Sequence, residues 1–124
     1  MNVVDSSGWL EFFTEGDNID FFSSAIQNIE ELIVPTICIY EVFKRVIVLR
    51  NNEEALQAVG VMSLGKIIEL DRQIALDAAN ISNELKLAMV DSIILATAQA
   101  NNAILWTQDE HFKNVKGVKY TERK

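Results

Sequence analysis

Asn2-Val3-Val4-Asp5-Ser6-Ser7-Gly8-Trp9-Leu10-Glu11-Phe12-Phe13 is the stretch whose reading decides the fold. Its first three residues form a short β-rich run, which stops at an aspartate and passes through two serines into helical period over about 7–14. The same alternation continues outward. β-rich runs at 2–4, 32–34, 66–70, 103–106 and, more weakly, 118–120 are separated by helical stretches at about 19–29, 36–50, 53–63, 72–87 and 91–101, with a short turn near 109–114. Alternation of this kind builds βαβ units with parallel strands and right-handed crossovers, so the fold class is α/β. At 124 residues and 49% apolar content the chain is sized for a single domain, 1–124, with a real core. No repeat, low-complexity segment or linker interrupts it, and the one proline, Pro35, sits at a helix entry, where it is tolerated.

In a doubly wound parallel sheet, residues just past the strand C-ends converge on one crevice. Four carboxylates fall where a strand pattern ends or a helix begins or runs. Asp5 follows Val3-Val4, and Glu41 lies inside the helix entered at Pro35-Thr36. Asp91 opens Asp91-Ser92-Ile93-Ile94-Leu95-Ala96-Thr97-Ala98, and Asp109 follows Ala103-Ile104-Leu105-Trp106-Thr107. Converging carboxylates repel one another unless a hard divalent cation sits among them, and oxygen-only ligation favours Mg²⁺ or Mn²⁺. The sequence therefore points first to a metal site.

Each acid also has an ordinary local reading. Asp5 could cap the first helix, although Ser6 and Ser7 could cap it equally well. Glu41 precedes Arg45 by four residues, the favourable order for a surface ion pair, but its neighbours Tyr40, Val42 and Phe43 are an apolar setting for one. Asp91 stands where the N-cap of the helix running to Asn101 belongs. Thr107-Gln108-Asp109-Glu110 has capping-box spacing, with Thr107 as cap and Glu110 reaching back, which leaves Asp109 over for another role. Asp71 also follows a strand; with that strand at the sheet edge it lies roughly 10 Å from the crevice and reads as a helix cap.

Other chemistries find no support. There is no phosphate-binding Gly-rich loop and no GxGxxG fingerprint. The single histidine, His111, has no Ser or Cys partner for a triad and reads as a surface residue. Cys38, between Ile37 and Ile39, reads as a small buried hydrophobe; as the only cysteine it excludes an internal disulfide and a multi-cysteine zinc site. Ser6-Ser7 after Asp5 replaces the second acid that a phosphoacceptor receiver or an Asp-x-Asp phosphatase would carry there. No run of about eighteen apolar residues exists, and the first residues lack the features of a signal peptide, so a cytoplasmic protein without membrane contact is expected. The net charge of −7 argues against nucleic-acid partners, but residues 111–124 hold Lys113, Lys116, Lys119, Arg123 and Lys124 against Glu122 alone. That tail is either a solvated end or a phosphate-binding one.

These residues together resemble a PIN domain, and in particular the VapC-type ribonuclease toxins of toxin–antitoxin pairs. The resemblance rests on Val4-Asp5-Ser6-Ser7, on Pro35-Thr36 through Tyr40-Glu41-Val42-Phe43, on Val90-Asp91-Ser92-Ile93-Ile94 before Ala96-Thr97-Ala98, and on Trp106-Thr107-Gln108-Asp109 with Phe112 three later. It spans the whole chain. Ala88 and Val90 depart from residues common in the family, and neither departure removes a ligand. The resemblance implies an α/β/α fold whose five-stranded parallel sheet runs 3-2-1-4-5. It also implies catalytic and metal-binding roles for Asp5, Glu41, Asp91 and Asp109 around one or two Mg²⁺ or Mn²⁺ ions. Thr107 and Ser6 are then supporting residues, and Lys44 and Arg45 candidate contacts to backbone phosphate. The implied substrate is RNA, with transfer and ribosomal RNA as candidate targets, and the implied partner is a cognate antitoxin. A non-catalytic PIN-like module for RNA or protein binding is the alternative; the intact acids argue against it.

The helix at 36–50 is apolar on more than one side, through Ile37, Ile39, Tyr40, Val42, Phe43, Val46, Ile47, Val48 and Leu49. It is either buried between other helices or part of a subunit contact. The family resemblance tips the expectation toward a homodimer or an antitoxin-covered surface.

Overall fold

The computed structural model describes all 124 residues. Five strands, β1 (Asn2–Val4), β2 (Leu32–Pro35), β3 (Lys66–Ile68), β4 (Ile104–Thr107) and β5 (Val118–Tyr120), form one parallel sheet in the order β3-β2-β1-β4-β5. Six helices connect them: α1 (Ser6–Phe13), α2 (Ile19–Ile26), α3 (Thr36–Leu49), α4 (Asn52–Met62), α5 (Arg72–Leu85) and α6 (Met89–Ala100). This is the α/β/α architecture and strand order that the sequence implies. Single 3₁₀ turns at Ile29–Glu31 and Glu110–Phe112 complete the chain.

β1 is the centre of the sheet. It pairs Val3 with Ile33 of β2 on one side and with Leu105 of β4 on the other. Val3, Val4, Val34 and Leu105 are wholly buried, as strands covered on both faces must be. The core continues through Trp9, Phe22, Leu32, Met62, Ile94 and Phe112. The helices pack as pairs: α1 with α2, α3 with α4, and most extensively α5 with α6.

Several boundaries differ from the sequence expectation. The segment expected as one helix at 19–29 ends at Ile26, because Asn28 leaves the helical region and a 3₁₀ turn follows. α5 stops at Leu85, where Lys86 takes a left-handed conformation (φ 58°, ψ 36°). α6 begins two residues earlier than expected, with Ala88 as its N-cap; Asp91 is thus a first-turn residue and not the cap. Asp71 does cap α5, accepting from the Ile74 N–H at 2.9 Å, and it lies outside the crevice beside the edge strand β3. Cys38 is wholly buried, and burial pushes its thiol far up, so it behaves as the small hydrophobe expected. No helix is long and apolar enough to cross a membrane.

Candidate metal centre

β1 has β2 on one side and β4 on the other, so the strand order reverses there. At that switch point a crevice opens. A pocket of about 190 Å³ lies there, lined by Asp5, Ser6, Ser7, Leu10, Glu41, Asp91, Ile94 and Asp109. All four acids singled out in the sequence line it, although they come from the β1 exit, α3, α6 and the β4 exit.

Asp5 is almost wholly enclosed, at 3% exposure. It does cap α1, contrary to the reading that serines suffice: Oδ1 accepts from the Gly8 N–H at 2.9 Å and from the Ser7 hydroxyl at 2.8 Å. Oδ2 accepts from the Thr107 hydroxyl at 2.5 Å. One lone pair of Oδ2 is left over. Burial outweighs these hydrogen bonds and the repulsion of Asp109 adds to it, so the carboxyl is pushed up to about 6. Gly8 makes this corner possible, since a Cβ there would sit 2.6 Å from the Phe22 ring and from Val4 Cγ1.

Thr107 joins two of the acids. Its hydroxyl donates to Asp5 and accepts from the Asp109 N–H at 2.9 Å. The expected capping box of Thr107 and Glu110 does not form; Asp109 itself caps the following turn, accepting from the His111 N–H at 3.0 Å. The side chain of Thr107, the last residue of β4, is buried and turned to β1, which makes it unavailable to Glu110. Glu41 makes no ion pair with Arg45; it accepts from the Ser6 hydroxyl at 2.5 Å. Asp91 accepts no hydrogen bond from a side chain or a cap, and half-burial followed by repulsion from Asp109 and Glu41 pushes it up to about 6.

Sequence reading missed three contributors. His111 is exposed as expected, yet Nδ1 lies 3.0 Å from Asp109 Oδ1, and Asp91, Asp109 and His111 bring donor atoms within 4.8 Å of one another. Its signal was the Asp-x-His spacing across a 3₁₀ turn. Asn18 and Gln108 are buried together: Asn18 Nδ2 donates to Gln108 Oε1 at 2.8 Å and to the Glu122 carbonyl, while Glu11 accepts from the Asn18 N–H at 2.7 Å. This network ties the β4 exit to α1 and α2, and so positions Asp109.

Lys44 and Arg45 do not enter the acidic pocket; they line a neighbouring hollow that shares Ser6, Leu10 and Glu41 with it. The basic tail is split. Lys119 lies over the Trp106 ring at 4.1 Å, and Arg123 lines a hollow with Asp109, Glu110, His111, Tyr120 and Glu122. The donor set of the pocket, carboxylate oxygens with one imidazole at its rim, has the chemistry to hold a hard or borderline divalent ion.

The sequence matches the model of the PIN domain over residues 3–118, and the chain belongs to that family. No curated protein matches it. Solved structures with the same fold include a chain of a toxin–antitoxin complex from Klebsiella pneumoniae (23% identity, 96% of each chain, TM-score 0.81). The DNA-bound VapBC of Salmonella typhimurium matches at 17% identity, 98% of each chain and TM-score 0.77. VapC20 of Mycobacterium tuberculosis, a sarcin–ricin loop cleaving toxin, matches at 11% identity over 94% of this chain and 95% of that one, with TM-score 0.78.

Proposed function

We propose that this chain is a metal-dependent endoribonuclease, the toxin of a toxin–antitoxin pair, hydrolysing RNA phosphodiester bonds at the pocket of Asp5, Glu41, Asp91 and Asp109. The observation that carries the reading is the convergence of four carboxylates from four separate segments, two of them held near 6, with no cation of the protein among them. Membership of the PIN family supports it, as does a fold shared with a chain of a toxin–antitoxin complex and with VapC20, a toxin named as cleaving the sarcin–ricin loop. The fitting cofactor is Mg²⁺ or Mn²⁺, one or two ions.

Bound there, a divalent ion supplies Lewis acidity, bringing the pKa of water near neutrality and offsetting charge on the phosphate. The chain's own residues do the rest. Ser7, Gly8 and Thr107 fix the Asp5 carboxylate so that its remaining lone pair serves as a ligand. Ser6 holds Glu41, and Asp91 completes the set from the first turn of α6. Asp109, aligned through its own N–H by Thr107, serves a second ion or orients the attacking water. No protein nucleophile is required.

Partners follow from the surface. Ile47, Val48 and Leu49 at the end of α3 are exposed, and beside them a hollow between α1, α3 and α4 is lined by Phe13, Val46, Leu49 and Val61. Exposed apolar area of this kind fits an antitoxin or a second copy of the chain. Sedimentation of the protein alone and with its antitoxin checks this; a monomer in both cases removes it. The catalytic test is Asp5→Asn, which removes a ligand charge and little volume. Mn²⁺-dependent cleavage of structured RNA is expected to fall on the order of 10²–10³-fold with the fold intact. Full activity in that variant would overturn the assignment.

A further inference from the structure

The acidic pocket adjoins two hollows, sharing Ser6, Leu10 and Glu41 with one of about 290 Å³ and Asp109 with another of about 410 Å³. The two differ in charge. The first is lined by Lys44 and Arg45 against Glu41; the second by Asp109, Glu110 and Glu122 against Arg123 and His111. A phosphodiester chain brought to four carboxylates needs cations beside them, and only the first hollow has a cationic excess. Glu41, Lys44 and Arg45 fall at i, i+3 and i+4, so a single face of α3 carries both the acid at the reaction centre and the cations that flank it.

Tyr40 stands at the edge of this hollow. It is 58% exposed. Its contact is Lys44, whose Nζ lies 5.7 Å from the ring centroid, so an aromatic face and an ammonium are presented together. A nucleotide needs that pair: a π surface for its base and a cation for its phosphate. We propose that Tyr40, Lys44 and Arg45 form a nucleobase subsite, taking an unpaired nucleotide beside the bond to be cut, with its base on Tyr40 and its phosphate on Lys44 and Arg45. The inference rests on the ribonuclease reading and narrows it to single-stranded segments, because a base stacked within a duplex has no free face for the tyrosine.

The test uses a fluorescent oligoadenylate octamer, an abasic octamer of equal length and a duplex RNA, with Mn²⁺ present. Binding is measured in the Asp5→Asn background, which keeps the RNA whole. Adding Tyr40→Ala weakens oligoadenylate binding on the order of tenfold and leaves the abasic and duplex probes where they were. Tyr40→Trp restores binding, and its emission is quenched by the octamer; Trp9 and Trp106 are buried and leave that signal distinct. Lys44→Ala and Arg45→Ala each lower the salt dependence of binding by about 0.7 in log–log slope. Equal affinity of the parent and Tyr40→Ala proteins for oligoadenylate overturns the subsite and leaves Tyr40 to a protein partner. An equal loss for oligoadenylate and the abasic chain overturns it too, since stacking would not be the cause. If wild-type protein cleaves RNA while Tyr40→Ala binds normally, the subsite falls and the nuclease stands. If Tyr40-dependent stacking is found and no metal supports cleavage, the nuclease reading falls and the subsite stands.

Discussion

Asp5 and Asp71 begin alike and end differently. Each follows a strand, each caps the next helix, and each accepts the N–H three residues on at 2.9 Å. Asp71 follows β3, at the edge of the sheet, and is exposed to water. Asp5 follows β1, with β2 and β4 on either side, and is closed in by Thr107 and three further acids. The local chemistry is the same. Rank in the sheet makes one an ordinary cap and the other a charged group held against its own solvation.

The largest expected effect breaks the pair apart by pH. The Asp5 carboxyl is raised in the folded state from 3.8 to about 6, so the folded protein binds this proton more tightly than the unfolded chain. The resulting stability is fully present below about pH 4 and is lost as pH rises through about 6, a change on the order of 3 kcal/mol. Urea melts of the metal-free protein at pH 5 and 7.5 are expected to show about half of it, with Asp5→Asn shrinking the difference to the smaller share of the same sign that Asp91, also pushed up to about 6, contributes. Asp71→Asn leaves the difference in place. A wild type equally stable at both values would remove the distinction between the two acids.

Metal sharpens the same comparison. Four separated acids of an unfolded chain bind a divalent ion poorly, so Mn²⁺ at about 100 times its dissociation constant is expected to stabilise the fold by roughly 2.7 kcal/mol. Na⁺ at equal ionic strength does much less. Asp91→Asn relieves repulsion in the metal-free protein and shrinks the metal-induced shift, which thermal melts read directly; an undiminished shift would separate Asp91 from the site.

Thr107→Val comes next. It keeps the shape of a buried side chain and removes the hydroxyl that links Asp5 to the Asp109 N–H. Loss of such an orienting partner is expected to lower metal affinity about tenfold, with calorimetry as the measurement. Asp71→Ala is the smallest change. It is expected to cost about 1 kcal/mol of stability through the lost cap and nothing in cleavage or metal binding.

The strands, their parallel pairing and the places of Asp5 and Asp109 were legible because they depend on short local patterns, a β-rich run with a carboxylate after it. Glu41 and Asp91 lie inside helices, and only the fold brings them to the same crevice. What was not legible depends on partners far along the chain. Thr107 and Glu110 have the spacing of a capping box, yet Thr107 spends its hydroxyl on Asp5, 102 residues away in sequence. Asp91 reads as a cap because nothing in the sequence marks Ala88 as the place where the helix begins. Glu41 and Arg45 have the spacing of an ion pair, but Ser6 reaches Glu41 from another helix. His111 is exposed and lies on no periodic face, so only the turn that folds it back toward Asp109 shows its relevance.

β1 is closed on one side by β2, the next strand in the chain, and on the other by β4, which follows only after Asp5, Glu41 and Asp91 have all been made. A growing polypeptide therefore carries Asp5, Glu41 and Asp91 with no closed crevice to hold them until β4 has been made. Ile104–Thr107 must leave the ribosome and pair with Asn2–Val4 before the Thr107 hydroxyl can seat Asp5 and Asp109 can join. Whatever chemistry the pocket performs is thus withheld until β4 has paired with β1.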